Sequence, residues 1–157
     1  MENKTTTTVN GGELTITRLL NAPRELVFEA WTKAEHLEKW WGPDGFTTTT
    51  HEIDVRPGGT WRFIMHGPDG TDFPNKIQFT EVVKPSRLSY RHDDDGAPTD
   101  IRFRVTVTFE QVGDQTLVTQ CSVFETAEAL QRVEREFKAI EGGVQHLGRL
   151  ASFVETN

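Results

Sequence analysis

The chain has 157 residues, 35% hydrophobic and 26% charged, a globular composition with enough apolar mass for a single buried core. A net charge of −7 and a pI of about 5.2 exclude the basic surface that nucleic acid or an anionic membrane would call for. No apolar run approaches the roughly 18 residues of a membrane span, and Met1-Glu2-Asn3-Lys4 followed by four threonines has no signal-peptide core, so a cytoplasmic protein is expected.

Residues 1–12 are polar and threonine-rich and end in Gly11-Gly12, which reads as a loose, flexible leader before a single domain over 13–157. Glu13 to Leu20 alternates apolar Leu14 and Ile16 with threonines, the mark of a strand. Pro23 suits the first turn of a helix, and Leu26, Val27, Ala30 and Trp31 follow at helical spacing. Thr32-Lys33-Ala34-Glu35 has the spacing of a capping box and opens a second short helix through Leu37 to Trp41, which Gly42-Pro43 stops. Thr47 to Val55 is a strand that ends at the Pro57-Gly58-Gly59 turn. Trp61, Phe63 and Met65 then share one face of the next strand, with Arg62, Ile64 and His66 on the other.

After the Gly67-Pro68-Asp69-Gly70 turn come strands over Ile77–Val83 and Leu88–His92, then a polar turn at Asp93-Asp94-Asp95-Gly96. Phe103, Val105, Val107 and Phe109 line one face of a strand that turns at Gly113-Asp114 into the strand holding Cys121. Short turns between successive strands imply an antiparallel meander. The period then changes. Leu130, Val133, Phe137, Ile140, Val144, Leu147, Ala151 and Val154 recur in steps of three and four, which only a helix places on one stripe. The pair Gly142-Gly143 is poor in helix propensity, so a kink or break is expected there.

Few residues form a constellation that carries chemistry. His36, His51, His66, His92 and His146 show no i, i+4 pair and no His-x-His spacing, so no metal is assigned. Asp93-Asp94-Asp95-Gly96 lacks the every-second-residue oxygens of a calcium loop. Asp54 and Arg56 fall on one side of a strand and read as a structural ion pair, with each other or with Glu52, at the Pro57-Gly58-Gly59 turn. Cys121, the one cysteine, reads as a small buried hydrophobe rather than a nucleophile. Glu81 lies in an apolar strand and becomes a general-acid candidate if it faces the interior. Glu125 and the serines show no nucleophile–base arrangement, and no glycine-rich phosphate motif is present, so no catalytic residue and no cofactor is assigned.

The ordered motifs carry more. Ala22-Pro23-Arg24-Glu25-Leu26-Val27-Phe28, Ala30-Trp31-Thr32, Trp40-Trp41-Gly42-Pro43-x-Gly45-Phe46 and Asp54-Val55-Arg56-Pro57-Gly58-Gly59-x-Trp61 come first. Gly67-Pro68-Asp69-Gly70, Glu81-Val82-Val83-x-Pro85-x-Arg87-Leu88, Glu141-Gly142-Gly143 and Leu147-x-Arg149-Leu150-Ala151 follow. From Glu13 to Val154 the chain resembles the START-like, helix-grip superfamily (SRPBCC), and within it the family named for the activator of the heat-shock protein 90 ATPase. The resemblance implies an α+β, Bet v-like fold: a curved antiparallel sheet wrapped around a long C-terminal helix, with two short helices after the first strand.

It also implies a cavity. On the residues alone, Trp41, Phe46, Trp61, Phe63, Met65, Phe79 and Tyr90 read as close-packed core. In a helix-grip fold the sheet curves away from its helix, so the same residues, with His92 and Phe103, become the walls of a pocket capped by Phe137, Ile140 and Val144. Tyr90, the sole tyrosine, would orient a ligand's polar end. Val144 and Ile77 depart from the residues many relatives carry there, which implies a differently shaped pocket. Three functions fit the resemblance: binding of a small hydrophobic molecule (lipid, aromatic or polyketide-like), stimulation of a chaperone ATPase, or cyclase- or hydrolase-type chemistry using Glu81, His92 or Tyr90. The first asks least of the residues and is the expectation, for a monomer or weak homodimer. The full co-chaperone's N-terminal chaperone-binding domain is not expected here.

Overall fold

β-branched and aromatic residues at alternate positions dictate eight strands, and the computed structural model, which describes residues 5–94 and 103–155, joins them in one antiparallel sheet. In chain order the elements are β1 (Thr5–Asn10), β2 (Glu13–Leu20), α1 (Arg24–Thr32), α2 (Ala34–Trp40), β3 (Thr47–Ile53), β4 (Thr60–His66), β5 (Asp72–Val83) and β6 (Arg87–Asp94). β7 (Phe103–Val112), β8 (Gln115–Phe124), α3 (Ala127–Phe137) and α4 (Ala139–Glu155) complete them. The strand order is β1-β2-β8-β7-β6-β5-β4-β3. Everything from β3 to β8 is a meander, and β2 closes it by pairing with β8. Register shifts between Thr50 and Glu52 and between Phe79 and Glu81 mark bulges, which bend the sheet.

Residues 5–10 correct the expectation of a loose leader. Thr5-Thr6-Thr7-Thr8-Val9-Asn10 pairs along its length with β2 across a two-residue turn at Gly11-Gly12, where Gly11 takes the left-handed φ of 60°. Threonine is a strand former that needs no burial, so an exposed edge strand can be built almost wholly of it. Only Asp93 and Asp94 of the expected Asp93–Gly96 turn are described, and both belong to β6; Asp95 and Gly96 lie outside the described residues.

The helices cover one face. Pro23 is the N-cap of α1 rather than its first helical residue, and Val27, Phe28, Ala30 and Trp31 are buried. The capping box at Thr32–Glu35 does not form: Lys33 caps α2, and the Thr32 hydroxyl donates back to the Phe28 carbonyl at 2.9 Å. The Trp40 indole N–H donates to the Ala30 carbonyl at 2.9 Å and ties α2 to α1.

The helical stripe from Leu130 to Val154 belongs to two helices, and the break falls at Lys138 (φ 51°), not at Gly142-Gly143. Glu134 of α3 accepts the Ile140 N–H at 2.8 Å across that break. α4 runs straight through the glycine pair because tertiary contact overrides propensity there. A Cβ on Gly143 would stand 2.4 Å from Cδ1 of Ile16, so the missing side chain lets α4 seat against β2.

Trp31, Trp40, Trp61, Phe63 and Phe109 are among the largest fully buried side chains. Trp61 stacks on Phe63 with centroids 3.8 Å apart, and Trp41 meets Trp61 edge-on at 4.8 Å. The Pro57-Gly58-Gly59 turn is anchored to β5: Gly58 N–H donates to the Phe79 carbonyl at 2.7 Å, and Phe79 N–H donates to the Gly59 carbonyl at 2.9 Å. Arg56 Nε bonds the Asp54 carboxylate at 2.7 Å on the surface, the structural pairing expected of them.

Candidate functional site

Three successive contacts from α4 hold the Trp41–Asp44 loop. The Arg149 guanidinium donates from Nη1 to the carbonyls of Trp41, Gly42 and Pro43 at 3.2, 3.1 and 2.9 Å. Those carbonyls lie at and just past the C-terminus of α2, where a cation suits the helix end; the Trp41 carbonyl also accepts from the Thr48 hydroxyl at 3.3 Å and that of Pro43 from the Phe46 N–H at 3.2 Å. Gly42 N–H donates to His146 Nδ1 at 3.0 Å, and Asp44 N–H donates to the Gln145 side-chain oxygen at 3.1 Å. Accepting at Nδ1 makes His146 the neutral tautomer protonated at Nε2. Its ring sits among Trp31, Trp40 and Trp41 at 5.8, 4.9 and 4.5 Å, and burial, helped by the Arg149 charge, lowers its pKa to about 3.

Two clefts open beside this locked loop. The inner one, about 270 Å³, lies between α4 and the inner sheet face, with Trp41, Met65, Tyr90, His92, Phe103, Gln120 and His146 among its walls. Among the described residues no Asp, Glu, Lys or Arg lines it. Burial pushes the Tyr90 phenol well above its usual range, so the hydroxyl stays protonated. His92 stacks on Phe103 (4.7 Å, 10°) and Phe103 on Phe124 (4.7 Å, 27°), a ladder of rings across β6, β7 and β8. The outer cleft, about 370 Å³, is walled by Phe46, Met65 and Phe73 and rimmed by Asp44, Lys138 and Glu141. Pro43, Met65 and Gly142 border both.

The expected pocket residues therefore separate. Trp41, Met65, Tyr90, His92 and Phe103 meet at the inner cleft, and Phe46 joins Met65 at the outer one. Trp61, Phe63 and Phe79 are buried beneath, filling space rather than lining it. Ile140 packs half-buried against the core. Val144 points to a third, more open cleft shared with Arg18, Lys39 and Arg149. Phe137 ends α3, and its side chain lies outside the described residues.

Glu81 turns to the surface, where its carboxylate accepts from Arg87 Nε and from the Ser89 hydroxyl, so it offers no general acid to either cleft. Cys121 sits half-buried on the sheet face opposite the clefts, opposite Thr15 and Thr106 in register, not fully buried as expected. Among the described residues no three His, Cys, Asp or Glu side chains gather as a metal site, and no helix is long and apolar enough to cross a membrane.

Sequence reasoning missed Gln120, His146 and the close-approach role of Gly143. Gln120 carried a readable signal. It shares strand parity with the buried Val118 and Phe124, so it had to face inward.

Eight antiparallel strands gripping a C-terminal helix, with two short helices after β2, define the helix-grip α+β class. Residues 21–155 match the model of the family described as Activator of Hsp90 ATPase homolog 1-like protein, and the chain belongs to that family. A solution structure of a protein from Arthrobacter aurescens is similar at 26% identity and a TM-score of 0.89, over 97% of this chain and 92% of that one. A crystal structure of a protein from Mycobacterium smegmatis is 28% identical with a TM-score of 0.84, over 96% and 95% of the two chains. No curated protein matches the chain.

Proposed function

We propose that this protein is a cytoplasmic carrier or sensor that binds a small, largely apolar molecule between α4 and the inner face of the sheet. The observation that supports it is the inner cleft itself: aromatic and thioether walls, a protonated phenol, a neutral imidazole and, among the described residues, no acidic or basic side chain. Its mouth is held in place, because His146, Arg149 and Gln145 bond the Trp41–Asp44 loop from one helix. The outer cleft gives a longer ligand a second compartment past Met65. Native mass spectrometry and thermal-shift assays against lipids, aromatics and polyketides test the reading. Binding of one class, abolished by a bulky Val105→Phe change in the inner wall, is the expected result. No shift and no adduct across all three classes would refute it.

The family match favours one second reading, an interaction module that raises the ATP turnover of an Hsp90-type chaperone. It predicts faster ATP hydrolysis when the protein is added to the chaperone. Unchanged turnover at high protein concentration would end it.

A further inference from the structure

We infer that the open cleft shared by Arg18 of β2, Lys39 of α2 and Arg149 of α4 is a second ligand site, which takes the phosphate dianion of a small organic phosphate monoester. It has no lining residue in common with the inner cleft, so it stands whatever binds there.

Arg18 stands where its strand calls for a core residue. It has the parity of Leu14, Ile16 and Leu20, all buried, and lies opposite the buried Val118 of β8 in register. Nη1 donates to the Thr5 hydroxyl at 3.0 Å and lies 3.9 Å from where a Cβ on Gly148 of α4 would stand. No carboxylate among the described residues comes within ion-pair distance of this guanidinium. A charge drawn so far onto the helix-covered face is ordinarily paired. Its Nε is fully enclosed and out of a ligand's reach, whereas Nη2 is neither enclosed nor bonded among the described residues. Nη2 is therefore the atom that Arg18 offers to the cleft.

Two more cations face the same space. Arg149 spends only Nη1 on the carbonyls of Trp41, Gly42 and Pro43, so Nε and Nη2 of its fork remain for a ligand. Lys39, exposed in the last turn of α2, adds an ammonium that makes no ion pair among the described residues. Asp44 is the one acidic side chain in the wall among the described residues, so three positive charges stand against one negative. The excess of two matches a phosphate dianion, and planar guanidinium forks fit its oxygens. A chain of net charge −7 repels polyanions and anionic bilayers, which leaves a small molecule as the occupant. Val144 and Phe153 supply apolar wall beside the cations, in a space of about 600 Å³, for the organic part of the ester.

Calorimetric titration of the full chain with phenyl phosphate, phenyl sulfate and inorganic phosphate tests the inference. At about pH 8, where the ester is a dianion, phenyl phosphate is expected to bind about tenfold more tightly than the singly charged sulfate. Inorganic phosphate, which has no ring to set on Phe153, is expected to bind more weakly than its phenyl ester. Lys39→Met alters an exposed side chain and should weaken phenyl phosphate about fivefold. Arg18→Met keeps the chain length, removes the fork and should weaken it about tenfold or more. Arg149 is left intact because it also holds the Trp41–Asp44 loop. The Gly148 and Arg149 amide resonances should move with phenyl phosphate while those of Tyr90 and Phe103, at the inner cleft, stay in place. No binding of phenyl phosphate at millimolar concentration would overturn the inference, as would resonance shifts confined to the inner cleft. Unchanged affinity in Lys39→Met would overturn it even if Arg18→Met failed to fold. Phenyl sulfate binding as tightly as phenyl phosphate would overturn the dianion, and inorganic phosphate doing so would overturn the organic ester.

Discussion

Acid should weaken this fold through one side chain. His146 is neutral and buried, with Nδ1 accepting the Gly42 N–H and its ring edged by three tryptophans. Its pKa falls from 6.5 in the unfolded chain to about 3 in the fold. The folded value is the lower one, so between those limits the unfolded chain holds a proton that the native chain does not. Stability then declines as pH falls through that window, at up to about 1.4 kcal/mol per pH unit. Acidification from about pH 7 to about pH 5 removes roughly 2 kcal/mol through this residue alone, a large share of the 5–15 kcal/mol typical of a folded domain. His146→Asn isolates the effect, because its carboxamide oxygen can still accept the Gly42 N–H but does not titrate. The variant should begin about 1–3 kcal/mol less stable at neutral pH, from lost ring contacts. It should then lose less than the wild type on acidification. Urea unfolding of both proteins at several pH values measures this, and the remaining titrating groups, common to both, largely cancel in the difference. A difference in stability that stays constant from about pH 7 to about pH 5 would refute the reasoning.

Adjacent glycines should respond in opposite directions. Gly143→Ala forces a methyl onto the buried Ile16 and should cost about 1–2 kcal/mol even after the gain in helix propensity, with Ile16→Val restoring most of the loss in a double-mutant cycle. Gly142→Ala meets only Pro43 Cγ at 3.5 Å and should leave thermal stability equal or raised by up to about 1 kcal/mol. Gly59→Ala would place a Cβ 2.0 Å from the Asp54 carbonyl, a backbone atom that cannot swing away, and should cost about 3 kcal/mol or more in chemical denaturation. Arg149→Lys cannot reproduce the planar donor fork that holds the carbonyls of Trp41, Gly42 and Pro43. It should cost about 1–3 kcal/mol and speed hydrogen exchange at the Gly42 amide.

Much of the fold was legible because its periods are clean. Trp61 and Phe63 announce the inner face of β4, and the stripe from Leu130 to Val154 announces helix. What was not legible was decided by partners far away in sequence. The glycine pair at 142–143 looks like a break until Ile16 is seen to need the space, while the real break falls on Lys138, a residue type that seldom takes a left-handed turn. β1 hid because an exposed threonine strand has no apolar alternation to read. At the site, parity placed aromatic side chains on the inner face but could not rank their depth. Depth depends on where α4 crosses the sheet, which puts Trp61, Phe63 and Phe79 beneath the clefts and Trp41, Met65 and Tyr90 on them.

The bond from Gly42 to His146 spans 104 residues, and β2 finds its second neighbour only in β8. Growth from the N-terminus therefore leaves the Trp40-Trp41-Gly42-Pro43 segment without its clamp until α4 has been made. A nascent chain stopped before α4 would hold all eight strands but leave the tryptophan cluster uncovered, a surface suited to capture by a holding chaperone. Folding of this architecture is a late event, governed by the slow search for distant partners rather than by the early helices.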